Sequence, residues 1–243
     1  MITTSSPSFD LNQLTSEQQT KFHTVYDELK LDYESYLQFK FKLQLKTQND
    51  SEEEENEWCY ELHRHLCARK WNIAHTIKSI QDMIQWRIDN HVDSILDDLP
   101  TSLRVDLVRK VVPAANHGYT KTHRPLYIEK SGQMYVDYLL NQFTTEELIQ
   151  CFIYSREFNC QLARQRSRQV GKHVGSFAVI LDLNGCKPDA RKTLHLVKQL
   201  ISLDTNYYPE RLGQMFIVNS CHSCPTSPDC VPVYDWSKET GED

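Results

Sequence analysis

Glycine is scarce, with only seven among 243 residues, and none is spaced to cradle a phosphate. A nucleotide fold needs a glycine-rich loop between strand and helix. Only Gly185 follows the apolar run that ends at Asp182, so neither the dinucleotide nor the P-loop spacing exists. A hydrolase elbow is missing too, since Ser176 is followed by Phe177 and Ala178 rather than by a closing glycine. A thiol phosphatase loop would need Arg six residues after Cys. Cys224 meets Cys230 there, and the nearest Arg to Cys186 is Arg191, one position early. No side chain is set up as a nucleophile, so the chain is not expected to be an enzyme and no cofactor is expected. There is no excess of positive charge: 27 Lys and Arg against 33 Asp and Glu leave a net charge of −6, which argues against a nucleic-acid surface. No apolar run approaches the ~18 residues of a membrane span. Met1 to Asp10 lacks the charged-then-apolar order of a signal peptide. A soluble cytoplasmic protein is the expectation.

What is present is material for a core: 40% of the residues are hydrophobic and 10% aromatic. Of the eight cysteines, Cys59, Cys67, Cys151, Cys160 and Cys186 lie in periodic or apolar segments, where a reduced thiol packs as a small hydrophobe. Cys221, Cys224 and Cys230 crowd the tail beside His222. Their spacing is only half of a zinc site, because a second Cys pair is missing, so free thiols are expected and no metal.

The first third reads as helical. Thr15 to Gln18 can cap a helix carrying Phe22, Val25, Tyr26 and Leu29, and Tyr33, Tyr36, Leu37, Lys40 and Phe41 continue the stripe. An acidic linker follows, with Ser51 and Glu54 at capping-box spacing. Trp58, Leu62, His65, Leu66 and Arg69 share the next helix, with Arg64, Arg69 and Lys70 suiting the dipole toward its end. Trp71-Asn72 interrupts, and Ile73, Ile77, Ile80 and Ile84 form the seam of a partner helix. Leu99, Leu103 and Leu107 mark one more.

From Val111 the pattern changes. A polar loop precedes a strand from Pro125 to Lys130, and Thr144 with Glu147 starts a helix bearing Leu148, Phe152, Ser155 and Leu162. The basic run Arg164, Arg166, Arg168 and Lys172 reads as its solvated end. Phe177 to Leu183 is a near-continuous apolar strand. Asn184-Gly185 turns it into a helix from Pro188 to Leu203, whose buried stripe is expected at Leu194, Val197 and Leu200 or Ile201. The chain then passes through Asn206-Tyr207-Tyr208-Pro209-Glu210-Arg211-Leu212-Gly213, where Pro209 disfavours helical dihedrals at Tyr208, into an apolar strand from Met215 to Val218. An all-helical lead followed by alternating strands and helices predicts an α/β fold with parallel crossovers.

Four blocks resemble the CRAL-TRIO (Sec14-like) lipid-binding family. They are Leu62-His63-Arg64-His65-Leu66-Cys67-Ala68-Arg69-Lys70-Trp71, Arg124-Pro125-Leu126-Tyr127, Leu181-Asp182-Leu183-Asn184-Gly185, and the stretch from Asn206 to Asn219. The resemblance implies an N-terminal helical region over residues 1–50, a helical domain over 51–112, a lipid-binding domain over 113–219 with a mixed or parallel sheet flanked by helices, and a divergent tail over 220–243. It also implies a hydrophobic ligand, most often a phospholipid such as phosphatidylinositol, carried transiently to membrane surfaces. In phosphatidylinositol-binding members the basic pair and the Glu of the last block meet the headgroup, which carries over to Arg69, Lys70 and Glu210. Tyr127 and the central-strand residues Phe177 and Val179 complete the expected ligand contacts.

Departures from the pattern shape the expectation. His123 stands where the family has Gly before Arg-Pro, so a different turn is expected there. Phe177 and Val179 stand where phosphatidylcholine-holding members place hydroxyl residues. After Asn219 the family's gate helix and last strand find no match. A shortened form is therefore expected, with a protein partner to cover its sheet edge. The second expectation is a non-transferring variant that acts as an interaction module or has no independent function.

Overall fold

Capping chemistry sets where the first helix begins. Thr15 and Gln18 exchange hydrogen bonds, Thr15 N to Gln18 Oε1 at 3.0 Å and Gln18 N to Thr15 Oγ1 at 3.3 Å, which satisfies donors that a helix start leaves unpaired. Helix α1 then runs Ser16–Gln44, α2 Ser51–Ala68 and α3 Ile73–Asp89. The computed structural model describes residues 7–44, 51–97 and 105–220. The expected capping pair Ser51 and Glu54, the residues Lys40, Phe41, Leu99 and Leu103, and the tail cysteines have side chains outside that description.

The chain falls into two units: Met1–Ile95 with Ser167–His173 and Leu203–Glu210, and Leu96–Arg166 with Val174–Ser202 and Arg211–Asp243. In the first, the helical unit, the expected stripes meet in one core: Phe22, Val25, Leu29, Tyr33 and Tyr36 from α1, Trp58, Leu62 and Leu66 from α2, and Ile80, Met83 and Ile84 from α3. Tyr33 and Trp58 stack at 4.2 Å. The Tyr36 hydroxyl donates to Asp93 Oδ2 at 2.7 Å and accepts from Arg87 Nε at 3.0 Å, while Arg87 pairs with Asp93 Oδ1 at 2.7 Å. Burial holds that hydroxyl protonated well above its usual range, so the network brings one ion pair and no phenolate into the core.

The second, the sheet unit, holds a four-stranded sheet: β1 Ala114–Tyr119, β2 Pro125–Glu129, β3 Phe177–Asp182 and β4 Leu212–Val218, in the order β1-β2-β3-β4. β1 and β2 form an antiparallel hairpin, while β2, β3 and β4 run parallel. The unit's helices are α4 Val105–Val111, α5 Val136–Gln142, α6 Thr145–Val170 up to Arg166, and α7 Leu194–Tyr207 up to Ser202, the last preceded by a 3-10 turn Pro188–Thr193; the ends of α6 and α7, from Ser167 and from Leu203, belong to the helical unit. The capping pair at α6 forms as expected, Thr144 N to Glu147 Oε2 at 2.8 Å and Glu147 N to Thr144 Oγ1 at 3.1 Å.

Two expectations need correction. The polar stretch before Pro125 is a strand, β1, although Ala-Ala-Asn-His-Gly-Tyr has weak strand propensity; it is extended by its partner, β2. On α6 the apolar residues Leu148, Ile153, Cys160 and Ala163 are buried, while Phe152, Ser155 and Leu162 are half-buried. On α7 the side predicted to be buried is open: Leu194, Val197 and Ile201 are exposed, and the half-buried line is Leu196, Leu200, Leu203 and Tyr207. Periodicity shows that a helix has an apolar side, but not that anything covers it.

The turn at His123 shows why glycine is replaceable there. His123 adopts φ 70°, the left-handed conformation a glycine would take freely. The backbone holds it through His123 N to Thr120 O at 3.0 Å and Thr120 N to Arg124 O at 2.8 Å. Its ring lies 3.1 Å from Arg166 Nη2, and that guanidinium sits 4.7 Å over the Tyr119 ring. Arg166 is therefore a fixed part of the hairpin rather than a purely solvated charge.

Candidate functional site

In the helical unit the basic pair lies where α2 stops. Trp71 N bonds Leu66 O at 2.7 Å and Lys70 N bonds Cys67 O at 3.0 Å, the paired bonds of a Schellman helix end. Such an end calls for a left-handed residue, usually glycine. Here Lys70 takes φ 51° and Trp71 φ 58°, each at a cost of order 1 kcal/mol. Lys70 is exposed and its ammonium has no ion-pair partner among the described residues.

Arg69 is held differently. Its guanidinium donates to Ser79 Oγ at 2.8 and 3.2 Å and to Thr205 O at 3.4 Å. Ser79 Oγ also lies 3.1 Å from Nδ1 of the fully buried His65. Thr205 lies in the last turn of α7, where a cation meets the negative end of the helix dipole. Arg69 thus edges an open groove of about 690 Å³ lined also by Lys78, Ser79, Trp86, Asn206 and Tyr207. Trp86 and Tyr207 stack at 4.1 Å with their planes 3° apart. Trp86 reads in the sequence only as the end of an apolar seam, and Tyr207 only as part of a turn block. Two aromatics pairing across 121 positions leave no periodic signal.

Glu210 is the third residue in a costly state. It takes φ 57°, and partial burial raises its carboxyl above the usual range. Its neighbours explain why the block is so specific. Tyr208 and Arg211 are buried, Tyr208 packs edge-on to Trp86 at 5.9 Å, and Arg211 Nη1 donates to Gly175 O at 3.2 Å. Packing accounts for those two, whereas nothing in the packing requires a carboxylate at Glu210.

In the sheet unit, register assembles the apolar candidates. Tyr127 on β2 pairs with Val179 on β3, which pairs with Met215 on β4, so the three side chains share one face. Phe177 stands two residues earlier on β3 and, by the same alternation, on the same side. Asn116, the β1 partner of Tyr127, reaches α6 from that face through Asn116 Nδ2 to Asn159 Oδ1 at 2.8 Å. Arg156 of α6 places its guanidinium 5.3 Å from the Phe177 ring centroid. Phe177 and Val179 are buried and Tyr127 is half-buried. The other face carries Ile128, Ile180, Phe216 and Val218, of which Phe216 and Val218 are exposed.

The carboxyl ends of β3 and β4 are tied together. Asp182 Oδ1 accepts from Asn219 Nδ2 at 2.8 Å and from Asn184 N at 2.9 Å. Asn219 first and Asn184 second hold its carboxyl below the usual range. A Cβ at Gly132 would overlap the backbone of Leu183 and Asn184, so the β2–α5 connection closes tightly on this corner. Among the described residues no helix is long and apolar enough to cross a membrane.

Residues 110–227 match the CRAL/TRIO domain. The chain is 32% identical over 161 residues to "Phosphatidylinositol/phosphatidylcholine transfer protein SFH7" of Arabidopsis thaliana, covering 65% of this chain and 29% of that protein. It is also 32% identical over 159 residues to "SEC14 cytosolic factor" of Eremothecium gossypii, covering 65% and 51%. The chain thus spans between about a third and a half of these two curated relatives. Its fold is similar to the crystal structure of Sfh5, with a TM-score of 0.63 at 15% identity over 84% of this chain and 72% of that one. With a helical N-terminal region and a mixed sheet flanked by helices, the chain is similar to the CRAL/TRIO family, and the family match lies over residues 110–227.

Proposed function

We propose that the protein binds one phospholipid, with phosphatidylinositol as the favoured class, and carries it between membranes. The observation that carries this reading is the apolar row Tyr127, Val179 and Met215 across three parallel strands, with Phe177 beside it. Lipid tails lose about 0.8 kcal/mol for each CH₂ left in water, so an apolar floor of this kind supplies most of the binding. The activity needs no covalent step.

Headgroup choice follows from what the side chains can offer. Val179 and Phe177 have no hydrogen-bonding atoms in their side chains, so a phosphocholine group gains nothing from them. Taken by itself, the helical unit offers phosphate the Lys70 ammonium and the Arg69 guanidinium, and inositol hydroxyls the Glu210 carboxylate. The relative named for phosphatidylinositol and phosphatidylcholine transfer agrees with the ligand class.

The test is transfer of labelled phosphatidylinositol and, separately, labelled phosphatidylcholine between vesicles. Protein-dependent transfer of the first, exceeding that of the second, is expected. Arg69→Ala with Lys70→Ala should weaken phosphatidylinositol transfer by about tenfold or more, since each lost charge-assisted bond is worth about 1.5–3 kcal/mol. Transfer of neither lipid would contradict the proposal.

A further inference from the structure

Helix α7 is apolar on two sides, and only one is used. Leu196, Leu200, Leu203 and Tyr207 are half-buried, and Leu196 joins the cluster of Val111, Leu139, Phe143 and Leu148. On roughly the opposite side, Leu194 is 54% exposed, Val197 41% and Ile201 60%. A helix apolar all round is normally covered all round. These three side chains stand open to solvent instead.

The neighbouring helix extends the face. Lys192 Nζ lies 2.6 Å from Asp137 Oδ1, and Leu139 and Leu196 share one inner cluster, so α5 adjoins the start of α7. Beside these inward residues, Tyr135 is 68% exposed, Tyr138 46% and Leu140 39%. Lys187, Arg191 and Lys198 are exposed around them, and Lys198 falls on the apolar stripe itself, four residues after Leu194. This concentration of cations stands out in a chain of net charge −6.

We propose that the outer side of α7, together with Tyr135 and Tyr138, is the surface that docks on an anionic phospholipid bilayer. The choice of partner rests on the proposed lipid-carrying function; the location of the surface does not. Aliphatic side chains enter the acyl boundary, tyrosines sit at headgroup depth, and flanking lysines and arginines meet lipid charge. The sign of the charge selects an anionic leaflet.

The experiment is co-sedimentation of the full chain with vesicles of phosphatidylcholine alone and of phosphatidylcholine with phosphatidylserine, alongside mass spectrometry of the lipid the protein holds. The wild type should favour the phosphatidylserine vesicles. Leu194→Asp with Val197→Asp and Ile201→Asp, all at exposed positions, should cut vesicle binding by at least about tenfold and leave the held lipid and the circular dichroism unchanged. Lys198→Glu with Arg191→Glu should lower the preference for phosphatidylserine by about fivefold per cation. Docking that the triple variant abolishes, in a protein that holds no lipid, would support the surface while sinking the proposed function. Vesicle binding unchanged in the triple variant would overturn the surface. So would a wild-type dimer that the triple variant splits, with no vesicle binding by either.

Discussion

The two units hold their candidate ligand residues in opposite ways. In the helical unit Lys70 and Glu210 sit in left-handed backbone, without charge partners among the described residues, and Glu210 is partly desolvated. In the sheet unit Phe177 and Val179 are core residues, buried among β3's neighbours and under α6. Residues kept in a costly state are the ones whose replacement reveals a function apart from folding. Residues that also build the core cannot be separated from it in this way.

That contrast is open to attack. The largest effect is expected from Phe177→Ala, which should lower stability by about 3–5 kcal/mol in urea unfolding and remove ligand binding with it. A loss under 1 kcal/mol would mean that the ring belongs to the ligand floor alone and is no part of the core. Lys70→Gly should do the reverse. Relief of the left-handed strain is worth roughly 1 kcal/mol and offsets the flexibility that glycine adds, so stability should hold or rise slightly while phosphatidylinositol binding falls. A destabilised Lys70→Gly protein would make the residue structural and erase the contrast.

Two carboxylates sharpen the comparison through pH. The folded protein raises the Glu210 carboxyl, so the fold binds that proton more tightly than the unfolded chain, and ionisation as pH rises costs stability. Glu210→Gln should therefore be slightly more stable at neutral pH, with no gain in acid. It should also flatten the acid-side loss of phosphatidylinositol binding, which in the wild type begins at higher pH than for an ordinary carboxylate. Asp182 shows the opposite sign. Its carboxyl is lowered by Asn219 and Asn184, so its contribution is full above the ordinary carboxylate range and is lost as pH falls through the lowered value. Asp182→Asn should cost a little stability at neutral pH and nothing in strong acid, as measured by thermal melts across pH. This is the smallest effect of the set.

Much of the architecture was legible because the physics that fixes it is local. Capping boxes at Thr15 and Thr144 announced α1 and α6, three- and four-residue spacing announced the core of the helical unit, and the run from Phe177 announced β3. β1 was not legible because its residues favour no strand until β2 pairs with them. The covered side of α7 was not legible because coverage belongs to the tertiary structure. At the candidate site, the blocks pointed to Arg69, Lys70 and Glu210 without showing that Lys70 and Glu210 take left-handed backbone, or that Ser79 already engages Arg69. The Trp86–Tyr207 stack left no trace in either segment alone.

The most direct measurement is mass spectrometry of lipid extracted from the purified full chain under conditions that preserve its fold. The account expects one phospholipid per protein, enriched in phosphatidylinositol over its share of the source membranes. A folded protein whose extract contains no phospholipid, and which takes none up from vesicles, would contradict it.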